Sequence, residues 1–315
     1  MLLSTAGILL IAFAAPTYGS MTIWLFVYSL GQHLFIPLSS TIGMELAHEG
    51  RFGQRLGQLS AVRNSAMIIG SFIVIIGFKS YKFSFSHAFV IAAFGFGIAS
   101  LLLLSMKRVK QQPAKSFFRL QKQYRIYYGL ISISGARKQL FITFAPWVLV
   151  TVFNQPTQII ATLLLIGGVI GIIFQPILGK AIDKFGERIV LSSEAVILVL
   201  ICFGYGFSKS LLPEKTAFFV VCGCYILDQM VFSVSMARST YIKKIALQPD
   251  HVQSALTAGV TIDHIFSIAA AIIGGIIWNK YGFQYVFGFG AILAITNFFV
   301  ASKVKIPTTN PIPIN

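Results

Sequence analysis

The sequence predicts an all-α, polytopic membrane protein with about ten transmembrane helices, and three observations predict it. The chain of 315 residues is 56% apolar and only 11% charged, whereas soluble domains carry roughly twice that charged fraction. Apolar runs of about 20 residues, the length that crosses a bilayer, recur along the whole chain. The 25 Lys and Arg, against 9 Asp and Glu, gather in alternate connections between those runs, as they do in cytosolic loops.

The spans are expected near 2–16, 22–44, 57–78, 87–106, 140–152, 156–178, 189–207, 217–242, 254–278 and 284–301. The first has a leucine-rich core ending in Ala14-Ala15, but no Lys or Arg precedes it. A secretory leader needs a positive start, so this run is read as a span. Pro37, Pro146 and Pro176 fall in or near the spans, where neighbouring helices can satisfy the freed backbone groups.

The stretch 179–188 is a charged, glycine-bracketed decapeptide between two apolar runs. It reads as a tight loop between two membrane helices. If it is cytosolic, alternate loops place most of the Lys and Arg on its side. Only Lys79, Lys82, Lys209, Lys215 and Lys280 fall opposite, and Arg63 and Arg238 lie within spans. Both termini are then cytosolic, in a plasma-membrane protein. A net charge of +16 therefore reports membrane orientation and not a nucleic-acid partner.

The basic connection at 107–138 divides the chain into a first bundle at 1–106 and a second at 139–305, with a cytosolic tail at 306–315. It reads as a linker that also suits contact with lipid headgroups. Its Tyr124-Arg125-Ile126-Tyr127-Tyr128 suits a segment lying on the membrane surface.

The two bundles look alike. Residues 28–35 line up with 225–232, so Gln32 matches Gln229; further on, Gln54 matches Gln253 and Asn64 falls on Asp263. Carried backwards, the match gives 138–188 no counterpart in the first half. That reads as four spans plus six, built from a parallel repeat.

Gly179-x-x-x-Asp183-Lys184-x-Gly186-x-Arg188 resembles the loop signature of the major facilitator superfamily, in the copy between that family's eighth and ninth helices. The run Gly274-Gly275-Ile276-Ile277-Trp278-Asn279-Lys280-Tyr281-Gly282 is similar to the family's junction of the eleventh and twelfth helices. The resemblance implies a two-half transporter bundle whose spans here are numbers three to twelve, an N-terminally truncated member lacking the first two helices. It implies a secondary permease moving a small solute by alternating access. The alternative is a truncated protein that does not transport. The first-half copy of the loop signature is absent. The proline of the antiporter signature is also missing from 57–78, which has Gly70 and Gly77 but no proline.

Charged and polar groups inside a membrane are costly and usually face a cavity or each other. The cavity-type spans carry Gln32 and His33, Arg63 and Asn64, Asn154 and Gln155, Gln175, Asp228 and Gln229, Arg238, and Asp263 with His264. Asp228, at mid-span, is the leading candidate for a substrate or proton site, against a role as a hydrogen-bonded packing anchor. Asp263 and His264 point about 100° apart on a helix, so at most one faces a cavity squarely. His264 reads as a proton relay or as a polar contact between helices, and His33 beside Gln32 is a further pathway candidate. The resemblance implies a cytosolic latch between Arg238 and Asp183 or Glu187. Snorkelling of Arg238 to the headgroups is the other reading. Glu194 is the one deep charge expected on an outer helix.

Other classes lack their residues. Cys202, Cys222 and Cys224 all fall in spans and read as apolar filler, since a zinc site wants four ligands. No Gly-rich Lys-Ser/Thr phosphate loop is present to spend ATP, and no metal-ligand or Ser/His/Asp pattern marks an enzyme. The expected partners are a small solute, membrane lipid and coupling protons, with no cofactor, metal or nucleic acid, in a monomer.

Overall fold

The computed structural model describes residues 1–13, 17–106 and 120–306, without the side chains of Ser71, Val74, Ile75, Phe78, Lys79, Thr157 and Gln158. Residues 107–119 of the expected central connection and nearly all of the expected tail lie outside the described residues. Among the described residues all regular structure is helical. Seven helical stretches are long and apolar enough to cross a membrane.

The chain divides into two compact units, one of residues 1–42 and 66–114, the other of 43–65 and 115–315. The first holds α1 (Leu2–Phe13), most of α2 (Tyr18–Glu45), the later half of α3 (Phe52–Ser80) and α4 (Phe85–Ser105). α1 is described over 12 residues. It packs on α4 and crosses α2 closely. A Cβ on Gly7 would sit 2.7 Å from the Tyr28 amide nitrogen, and small residues allow such approach between membrane helices. Ser84 starts α4 with a capping box: its backbone N–H donates to His87 Nδ1 at 3.1 Å, which occupies an amide that the helix itself leaves open.

The second unit holds α5 (Arg125–Trp147), α6 (Thr157–Phe185), α7 (Glu187–Leu211), α8 (Glu214–Phe232), α9 (Ser235–Ile245), α10 (Pro249–Tyr281) and α11 (Phe283–Ala301). Here α5 is central, packing on α10 and α11, while α11 also packs along α7. Two cores fill this unit. In one, Tyr205 and Phe287 stack at 4.6 Å and Phe141 meets both edge-on. The other gathers Tyr124, Tyr127, Ile182, Leu191, Tyr241 and Ile242.

Three expectations change. First, α5 begins at Arg125, well inside the expected loop, so Arg137 and Lys138 are helical and not loop residues. With those cations aboard, α5 does not count among the seven apolar stretches. Second, the decapeptide is not a loop. α6 runs on to Phe185 and α7 starts at Glu187, joined through Gly186 alone at φ +82°. Gly282, at φ +99°, joins α10 to α11 in the same way. Only glycine takes that backbone without strain. Third, the expected span at 217–242 is broken at Ser233 and Val234. The amides of Ser233, Val234, Met236 and Ala237 bond three residues back instead of four, a tightened 3₁₀ turn.

Candidate functional site

The site is organised by α5. Gly135 brings α10 against it: a Cβ there would lie 2.5 Å from the Asp263 carbonyl oxygen. Ser267 Oγ donates to the Gly135 carbonyl at 3.0 Å. That tight crossing sets the next two cations of α5 beside two acids. Arg137 Nη1 donates to Asp228 Oδ1 of α8 at 2.5 Å, and Lys138 Nζ donates to Asp263 Oδ2 of α10. Because neighbours on a helix point about 100° apart, adjacent cations reach acids on different helices. α5 is thereby tied by charge to α8 and α10 at one level.

A second pair lies nearby. Arg238 Nη2 of α9 donates to both carboxylate oxygens of Glu194 on α7, at 2.8 and 2.7 Å. Arg137, Glu194, Arg238 and Asn297 line one narrow gap between the helices. Arg137 and Arg238 share the gap with Glu194, and each has its own acid, Asp228 for Arg137 and Glu194 for Arg238. The Nε atoms of Arg137 and Arg238 and Oδ1 of Asn297 are buried and make no hydrogen bond there. The 3₁₀ break at Ser233 and Val234 separates α8, which carries Asp228, from α9, which carries Arg238. Gln175 Nε2 of α6 donates to Ser233 Oγ at 3.2 Å, marking the break with a buried polar contact.

The decapeptide does different work. Asp183 receives the Gly53 N–H at 2.8 Å and the Gln54 N–H at 2.7 Å, both from the first turn of α3. A carboxylate there satisfies amides that the helix leaves open and meets the positive end of its dipole. Close packing supports the contact. A Cβ on Gly53 would lie 2.5 Å from the Gly179 carbonyl, and one on Gly57 the same distance from that of Gln175. Glu187 pairs with Lys244 at 2.7 Å. Lys184 lies over the Phe185 ring, and Arg188 is exposed.

Arg238 therefore does not meet Asp183 or Glu187. It is buried, and the acid within its reach on the inner side is Glu194. Gln229 packs against Gly167 of α6. His264 is exposed beside the half-buried Asp263. In the first unit, Gln32 Nε2 donates to Ser4 Oγ at 3.0 Å, and His33 is exposed with Nδ1 2.8 Å from the Ser29 carbonyl. Sequence reasoning missed Arg137 and Lys138 as site residues. The available signal was their place between the apolar residues Ile131 and Ile133 on one side and Leu140-Phe141 on the other.

The profile of the Major Facilitator Superfamily matches residues 1–258. A solved structure described as a bacterial homologue of the iron transporter ferroportin in an outward-facing state is similar in fold. The identity is 13%, the match covers 96% of this chain and 80% of that one, and the TM-score is 0.65. No curated protein matches the chain in sequence.

Proposed function

Since this chain belongs to the major facilitator superfamily and is a multi-pass membrane transporter, not an enzyme, we propose that it carries a small solute by alternating access with proton coupling. Asp228 is the proton-binding group in this reading. The observation that carries it is the pairing of Arg137 and Lys138 with Asp228 and Asp263. A proton arriving at Asp228 would neutralise it and release Arg137, leaving that guanidinium to find an anionic group of the solute. A charge so released in a low-dielectric interior is expensive, so protonation and helix movement are linked. The 3₁₀ break just beyond Asp228 is where α8 would bend relative to α9. Asp263 with Lys138 forms a second exchangeable pair, and Gln229 and His264 complete the pathway. Gln32 and His33 are the further candidate polar groups of the first bundle.

The same reading arranges the chain as ten spans in bundles of four and six, in the plasma membrane, as a monomer with both termini cytosolic. Arg137 and Lys138 leave the cytosolic count, and the remaining loop cations still favour that side. Asp183 on the first turn of α3 then replaces the expected Arg238 latch as the cytosolic clamp, closed while the pathway faces outward.

The test is transport by the chain in liposomes under an imposed pH gradient, screened over labelled small solutes. Asp228→Asn should abolish accumulation driven by the gradient while leaving exchange of solute across the membrane. Accumulation unchanged in Asp228→Asn removes Asp228 as the coupling group.

A further inference from the structure

The first turns of α3 have two faces, and Asp183 uses only one. Gly53 and Gly57 point toward α6, where they pack on Gly179 and Gln175. Arg51 just precedes the helix, and Gln54, Arg55 and Gln58 follow it in sequence. Their spacing of three, four and seven places all four within about 100° of arc on the opposite side. They line a pocket of roughly 360 Å³ together with His48. Its wall contains two guanidinium groups, one imidazole and two carboxamides, with no carboxylate among the lining residues. The Nε of Arg55 is buried and makes no hydrogen bond. Arg55 lines the pocket, and no carboxylate in the lining offsets its charge.

We propose that this pocket is an anion site for a phosphate-bearing group, distinct from the solute pathway and independent of the reading of Asp228. The helix end itself is not the ligand, because its Gly53 and Gln54 amides are already taken by Asp183. The side chains are the ligand: Arg51 and Arg55 supply charge and paired N–H donors suited to phosphate oxygens, and Gln54 and Gln58 supply neutral donors. An occupant holds α3 from one face while Asp183 holds it from the other, so binding steadies the contact between α3 and α6. The phosphate comes either from a soluble molecule or from a phospholipid headgroup, and both present the same chemistry to the pocket.

The experiment uses the full chain in neutral detergent, titrated with pyrophosphate by calorimetry. In parallel, nanodiscs of phosphatidylcholine with and without phosphatidylglycerol are scored for retained lipid by native mass spectrometry. Arg51→Gln and Arg55→Gln should each weaken binding about tenfold. Gln58→Glu, a surface change that leaves the packed face intact, should weaken it as well. Lys280→Gln at the far end of α10 should not. Pyrophosphate binding lost in the pocket variants supports a soluble occupant. Selective retention of phosphatidylglycerol lost in the same variants supports the headgroup. Wild-type protein that binds neither, or pocket variants that bind like wild type, overturns the site.

Discussion

Arg238 with Glu194 and Arg137 with Asp228 are both arginine–carboxylate pairs inside one helical unit, yet their surroundings differ. Arg238 and Glu194 are 2% and 0% exposed. Arg137 is 3% exposed but its partner Asp228 is 17%. The first pair is sealed on both sides, so neither water nor a proton reaches its carboxylate. The second is sealed on the arginine side alone. Sealing suits a fastener, and one open side suits a group that must exchange its partner. The comparison separates structural charge from working charge without appeal to depth in the membrane.

The largest expected effect breaks the sealed pair. Glu194→Ala leaves a guanidinium buried without its counter-charge, a loss of about 3–5 kcal/mol. Unfolding of the purified protein in detergent should show it directly. The double replacement Glu194→Leu with Arg238→Met should regain most of that stability, because well-packed apolar groups replace buried ion pairs at little net cost. A double variant as unstable as the single one would mean that the charges themselves hold α7 to α9.

Most of the fold is legible in the sequence, because apolar run length and loop charge depend on local composition. The all-helical membrane class follows from them, and the motif around Gly179 and Arg188 carries the family. The site is legible only by halves. Asp228 and Asp263 stand out as acids within apolar runs. Their partners do not, since Arg137 is 91 residues from Asp228 and Lys138 is 125 from Asp263. The basic stretch preceding α5 absorbs both cations into an apparent loop. Helix packing through Gly135 is what moves them inward, and spacing along one strand of sequence does not encode that crossing. Gly186 shows the converse. Its place in the motif is visible, but a polar stretch looks like a loop whether or not the helix continues through it.

A middle-sized effect tests accessibility itself. In a background with Cys202, Cys222 and Cys224 replaced, cysteine placed at Asp228 should react with a small water-soluble thiol reagent. Cysteine at Glu194 should stay unreacted in the folded protein, since a thiol reacts through its solvated thiolate. Mass spectrometry counts the modified chains. Equal labelling at both positions would erase the distinction between sealed and open pairs.

The smallest stability effect is expected at Lys138→Gln, and it divides the two kinds of pair most finely. Lys138 and Asp263 are 19% and 21% exposed, so protein packing seals neither partner. Removing the ammonium leaves Asp263 partly exposed instead of stranded, and the cost should be about 1 kcal/mol or less. Transport should change far more than folding does. Lys138 is the only cation among the described ion pairs that faces Asp263, so its loss alters how readily that carboxylate gives up or takes a charged partner. Unfolding in the same detergent used for Glu194→Ala gives one axis, and gradient-driven uptake gives the other. If Lys138→Gln destabilised the fold as much as Glu194→Ala, the Lys138 pair would belong with the fasteners, and exposure would have failed as the criterion that separates them.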